Sequence, residues 1–281
     1  MDRFKKLPLS VLMYVLVWVV CLKALAPIVA WIGNSFAALA VSGFLAALAC
    51  NACGMVLYRK RRLLEIGLQW NAASAKNAAL GVAGGAGSAS LVIGIPLLAG
   101  AASLRSIANE DATWATAVFV IALLALGAAG EEMFFRGYGF QVLLRSFGPW
   151  ATVVPVGIIF AMMHAANPAS TPLALANTAG FGILFGYAFL RSGDLWLPIG
   201  LHFGWNLTLP IFGVNISGFT MGFTNYAVDW IAGPLWSGGD YGVEASVLTS
   251  AVLFLLAAFV MRAPVRRQKI ELLEETRVEE I

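Results

Sequence analysis

The sequence predicts an all-α, polytopic integral membrane bundle of about eight transmembrane helices. Three observations carry this: 60% of the 281 residues are hydrophobic, only 12% are charged, and apolar runs long enough to cross a hydrocarbon core of ~30 Å recur along the chain. A soluble domain has about 25% charged side chains. The runs lie at 9–31, 36–58, 78–103, 114–146, 151–166, 172–190, 195–213 and 245–262, which makes 1–262 the bundle and 263–281 a charged tail. Of these, 114–146 is overlong for one span and 151–166 is short. The first run lacks a small-residue cleavage site and is followed at once by another span, so it reads as a retained helix and not a removed signal peptide.

Between the spans, positive charge is one-sided. Arg3, Lys5, Lys6, the Arg59-Lys60-Arg61-Arg62 run, Lys76, Arg145, Arg191, Arg262, Arg266, Arg267, Lys269 and Arg277 fall on one face of an eight-span arrangement, and Arg105 in a loop on the other. Because cytoplasmic loops retain Lys and Arg, both termini are expected in the cytoplasm, with a bacterial cytoplasmic membrane as the setting. The net charge of +3 reflects this asymmetry and no nucleic-acid partner is expected.

Taken in order, the second run holds Cys50 and Cys53, whose spacing is that of a redox or metal pair; without a second ligand pair they read as buried packing residues, as does Cys21. Residues 63–77 form a polar or amphipathic connector with Trp70 at the interface. The third run contains GVAGGAGSAS (81–90), which lacks the Gly-Lys-Ser/Thr ending of a phosphate loop; Gly81 and Gly85 have the spacing that lets membrane helices approach closely. Pro96 is tolerated there because neighbouring helices satisfy the freed carbonyl. The long segment 214–244, with Trp230, Trp236, Asp240 and Glu244, follows the His202 helix directly and reads either as a lid or as a passive interfacial loop.

Chemistry concentrates in three short motifs. Both histidines of the chain, His164 and His202, and the pair Glu131-Glu132 lie in apolar runs, where an ionisable group is costly and by default functional. In Glu131-Glu132-Met133-Phe134-Phe135-Arg136, Glu132 and Arg136 share a helix face while Glu131 points about 100° away. Arg136 is therefore expected to hold Glu132 ionised and to leave Glu131 in a drier setting with its pKa raised toward that of a general base. Phe160 and His164 share a second face, and His202 and Asn206 a third. Together these form a cluster of the kind that binds a metal or activates water. Counted as straight helices from the break at 147–149, Glu131 and His164 stand level, at about 26 and 24 Å. His202 is only about 14 Å from the Ser192-Gly193 turn, which agrees if the 136–150 end protrudes from the membrane.

The combination EExxxR (Glu131, Glu132, Arg136), FxxxH (Phe160, His164) and HxxxN (His202, Asn206), with the approach 195–201, resembles the CAAX-prenyl protease and bacteriocin-processing family, the Abi-like intramembrane peptidases, over roughly 114–213. The resemblance implies peptide hydrolysis by activated water in a helical bundle. Glu131 and His164 would activate the water, His202 and Asn206 would stabilise the oxyanion, and Glu132 and Arg136 would orient the others. Phe135, Phe160 and Trp205 are the expected substrate contacts. The family is classed with metallopeptidases, although members have been argued to act without metal; if Zn2+ or another divalent metal binds, Glu131, His164 and His202 would be its ligands. The implied partners are membrane lipid and a peptide or lipidated protein. HExxH and Gly-x-Gly-Asp motifs are absent, and Ser217 lacks the preceding glycine of a rhomboid nucleophile. Two other classes remain open: a proton-coupled transporter, although no internal repeat is seen, and a non-catalytic scaffold of the same fold.

Overall fold

A computed structural model describes residues 2–29, 31, 35–59 and 61–274. Of the basic residues that set the expected orientation, Lys60 and Arg277 lie outside them, as does the tail beyond 274. The described chain is helical almost throughout: α1 (Asp2–Val29), α2 (Ser35–Cys53), α3 (Ala72–Leu98), α4 (Trp114–Arg136), α5 (Tyr138–Phe147), α6 (Trp150–Met163), α7 (Pro172–Ser192), α8 (Trp196–Ile211), α9 (Pro234–Ser237), α10 (Val247–Arg262) and α11 (Glu271–Glu274). Five helical stretches are long and apolar enough to cross a membrane, which makes this an integral membrane protein; α6 and α10 are shorter apolar helices. Each of the eight apolar runs contains helix, as expected of the bundle, but α6, α8 and α10 are shorter than the runs they occupy, with 14, 16 and 16 residues. At 1.5 Å per residue they reach only about 21–24 Å.

Two further corrections follow from local chemistry. The overlong 114–146 run is two helices broken at Gly137, and Asn51 of α2 occupies the break. Its Oδ1 accepts the Tyr138 N–H (2.7 Å) in place of the helical bond to Phe134, and its Nδ2 donates to the Met133 carbonyl (2.9 Å), which keeps its helical bond from Gly137. Tyr14 of α1 adds a hydroxyl to the Phe134 carbonyl (2.8 Å). Because α5 is a separate helix, the straight count of 26 Å from Gly148 does not describe Glu131, and the protruding end it required is not needed. Likewise α6 ends at Met163, where the His164 and Ala165 N–H groups turn back to the carbonyls of Ala161 and Met162 and close the last turn. His164 is therefore in a turn at the helix end and not within a span.

Helix α8 is held against α3 by reciprocal glycines. A Cβ on Gly81 or Gly85 would run into the backbone of α8, and one on Gly200 or Gly204 into the backbone of α3. The two axes approach closely enough that only hydrogen fits between them. This bears out the packing reading of the α3 glycines and adds the matching pair on α8.

Segment 214–244 is not a free loop. Val214, Ile216, Met221, Phe223 and Val243 are buried in the main core with α3, α7, α8 and α10. It also contributes β2 (Tyr226–Trp230), paired antiparallel with β1 (Ala102–Ser106). That two-stranded ribbon was not expected: its residues are mostly exposed and its partners lie 124 positions apart, so neither strand shows a period of its own.

Candidate functional site

The three motifs meet, and they divide into a dry half and an open half. In the dry half, Glu132 and Arg136 are fully buried and Arg136 Nη1 lies 3.0 Å from both carboxylate oxygens. Nη2 donates to the Gly182 carbonyl of α7 (2.6 Å). The guanidinium carbon sits 5.2–5.6 Å from the ring centres of Phe135, Phe160 and Phe185, within cation–π range. Glu132 also reaches α8, accepting from His202 Nδ1 (3.0 Å). One carboxylate thus links the cation of its own helix to the histidine of another, and such outer contacts fix a ring's tautomer and orientation.

In the open half, Glu131, His164, His202 and Asn206 line one cavity of about 210 Å³. His202 Nε2 is 3.9 Å from Glu131 Oε2, and that oxygen accepts no hydrogen bond among the described residues. His164 Nδ1 is 2.8 Å from the Phe160 carbonyl of its own helix. A carbonyl only accepts, so Nδ1 carries the proton and the Nε2 lone pair is left free. The expectation of a drier Glu131 is reversed: the Glu131 side chain is 41% exposed and that of Glu132 is not exposed at all. Spacing correctly separates the two carboxylates by about 100°, but Phe160, Phe185 and α8 decide which side is dry.

The three expected substrate contacts line the cavity too, yet Phe135, Phe160 and Trp205 are 6%, 2% and 2% exposed. Their contacts are chiefly to protein. Phe160 packs on His164 (4.7 Å between ring centres) and on His202 (6.1 Å), while Trp205 stacks near Phe181 (4.6 Å) and donates its indole N–H to Glu244.

Sequence reasoning missed the residues that approach from outside the three motifs. Asn167, Thr178, Ser217 and Glu244 line the cavity's polar end, whereas Trp18, Leu22, Leu39 and Phe44 of α1 and α2 form an apolar wall. Glu244 is 7% exposed. Burial pushes its carboxyl above the usual range, opposed by the hydrogen bonds from Ser217 and Trp205. A buried carboxylate inside segment 214–244 was the only available signal, and its partners are too distant in sequence to be foreseen.

As for a metal, no three His, Cys, Asp or Glu side chains among the described residues converge closely enough to hold one. The expected set of Glu131, His164 and His202 lines the cavity without forming a chelate, so the donors as placed do not fit a metal.

Residues 113–208 match the family model of the type II CAAX prenyl endopeptidase Rce1-like proteins. The uncharacterized protein YyaK of Bacillus subtilis (strain 168) is 27% identical over 131 residues, 44% of this chain and 42% of that protein. The chain therefore spans less than half the length of the curated relative it matches. No solved structure matches. The matched stretch, about a third of the chain, contains Glu131, Glu132, Arg136, Phe160, His164, His202 and Asn206.

Proposed function

We propose that the protein is an intramembrane endopeptidase that hydrolyses a peptide bond of a membrane-associated or lipidated peptide with water activated by Glu131 and His164. The observation that carries this is the convergence of three separate helices on one cavity, with Glu131 Oε2 3.9 Å from His202 Nε2 and free of other partners. Glu131 accepts the water's proton and the free Nε2 of His164 holds the water in place. His202 and Asn206 stabilise the oxyanion of the tetrahedral intermediate. A donor at His202 Nε2 requires Nδ1 to be protonated as well, and Glu132 supplies the counter-charge. Arg136 holds the Glu132 side chain in place. No step is routed through a metal, because the donors do not converge on one.

The apolar wall from α1 and α2 beside a polar end fits a substrate that is lipid-like on one side and peptide-like on the other. The one-sided Lys and Arg distribution supports an inner-membrane protein with both termini in the cytoplasm, which puts residues 164–171 and 214–244, and with them Asn167, Ser217 and Glu244 of the cavity lining, on the opposite side.

The test is cleavage of a farnesylated CAAX peptide, and of total membrane peptides read by mass spectrometry, using purified protein in lipid nanodiscs. Glu131→Gln and His164→Ala should each lower the rate about 10²–10⁴-fold, with the fold intact and wild-type activity resistant to a zinc chelator. Absence of cleavage in both substrate pools, or full activity in Glu131→Gln, overturns the reading.

A further inference from the structure

The segment after α8 returns a third acidic side chain to the cavity. Glu244 Oε1 accepts the Trp205 indole N–H (3.1 Å), and Oε2 accepts both the backbone N–H and the hydroxyl of Ser217. Ser217 is held at φ 48°, a left-handed conformation that is strained for a non-glycine residue. It persists because the turn aims its N–H at the carboxylate. From α7, Asn177 donates to the carbonyls of Glu244 (2.8 Å) and Ser246 (2.9 Å), anchoring the backbone that presents the side chain.

One buried carboxylate therefore joins the start of the segment, its end, and the helix bearing His202 and Asn206. Trp205 lies between those two residues in the chain, and Ser217 and Glu244 line the same cavity as both of them and His164. A carboxylate this buried is costly unless its lone pairs are satisfied, and an apolar residue would fill the space more cheaply. What the apolar residue lacks is three directed acceptor contacts.

We infer that Glu244 is a positioning residue of the site: through Trp205 it sets the α8 face that carries His202 and Asn206, and through Ser217 it holds residues 214–221 as a cavity wall. The kinetic consequence rests on the peptidase reading; the structural one does not.

Both are measured on the full chain in nanodiscs, with Glu244→Gln, Glu244→Ala and Trp205→Phe. By hydrogen–deuterium exchange, residues 214–221 should exchange about tenfold faster in Glu244→Ala than in wild type, with Glu244→Gln between them. With the cleaved peptide as substrate, kcat should fall about tenfold in Glu244→Ala with KM within about twofold, recover in part in Glu244→Gln, and fall in Trp205→Phe, which loses the N–H together with part of the indole's packing. If Glu244→Ala does not fold, the same directions in Glu244→Gln and Trp205→Phe carry the test. Unchanged exchange over 214–221, or a raised KM at unchanged kcat, overturns the inference. Faster exchange in Glu244→Ala, together with a wild type that cleaves nothing, sinks the peptidase reading and leaves the positioning role standing.

Discussion

Glu131 and Glu132 are neighbours in sequence and opposites in environment. Glu132 has no exposed side-chain surface and is bound by Arg136 and His202, whereas the Glu131 side chain is partly exposed and lines the cavity, its Oε2 buried beside His202 Nε2 without a hydrogen bond among the described residues. The difference teaches that a motif of paired carboxylates is divided by the neighbouring helices into a group that supports and a group that reacts. Burial suits the supporting partner, because an ion pair cut off from water holds its geometry. Access suits the other, because its ligand is water.

The largest test of this division is to break the support. Arg136→Met should destabilise the protein by about 3–5 kcal/mol, since it leaves Glu132 buried without its guanidinium partner, whereas Glu131→Gln should change stability by less than about 0.5 kcal/mol. Thermal unfolding in nanodiscs measures both. Equal losses would mean that the two carboxylates are not divided as described.

A smaller effect is expected where the dry half is seated. An alanine at Gly85 would press on the backbone of Leu201 and Trp205, one turn from His202, at an overpacking cost of about 1–3 kcal/mol; Gly87, on the same helix, faces open space. Gly85→Ala should lower both the unfolding temperature and the cleavage rate. Gly87→Ala should leave the rate unchanged and stabilise slightly, by up to about 1 kcal/mol.

The smallest is at the foot of α8. Asp194 Oδ1 accepts the Leu197 N–H (3.2 Å), while Oδ2 accepts from Asn77 (2.8 Å) and Gln268, tying α8 to α3 and to the chain after α10. Burial holds its carboxyl above the usual range. A carboxyl with a raised folded pKa contributes stability that is complete below its unfolded pKa and is lost as pH rises through the folded value. Wild-type stability should therefore decline over that interval, and Asp194→Asn should remove that part of the slope. A profile of unfolding temperature against pH that is identical in the two proteins would discount Asp194 as its source.

Much of the site was legible because its spacing is local. Residues four apart on a helix share a face whatever surrounds them, so the pairing of Glu132 with Arg136 and of Phe160 with His164 follows from α-helical geometry alone. The α3 glycines were legible for a similar reason, although their counterparts Gly200 and Gly204 were passed over as part of a sequence approach to His202. Glu244 was not legible: its indole partner lies 39 positions away, and segment 214–244 carries no period that would aim it inward. The β1–β2 ribbon escaped notice on the same grounds. The break at Gly137 was visible only as an overlong apolar run, because the group that satisfies it comes from Asn51 on another helix.

The linear chain by itself determined an all-α membrane protein, the order of its apolar helices and the three motifs, since hydrophobicity and helical period are properties of consecutive residues. Tertiary structure alone decided which glutamate is dry, how far α6 extends, and that a carboxylate from beyond the motifs faces the cavity. Burial and hydrogen-bond partnership depend on what other segments bring to a side chain, and proximity in space is not written in spacing along the chain.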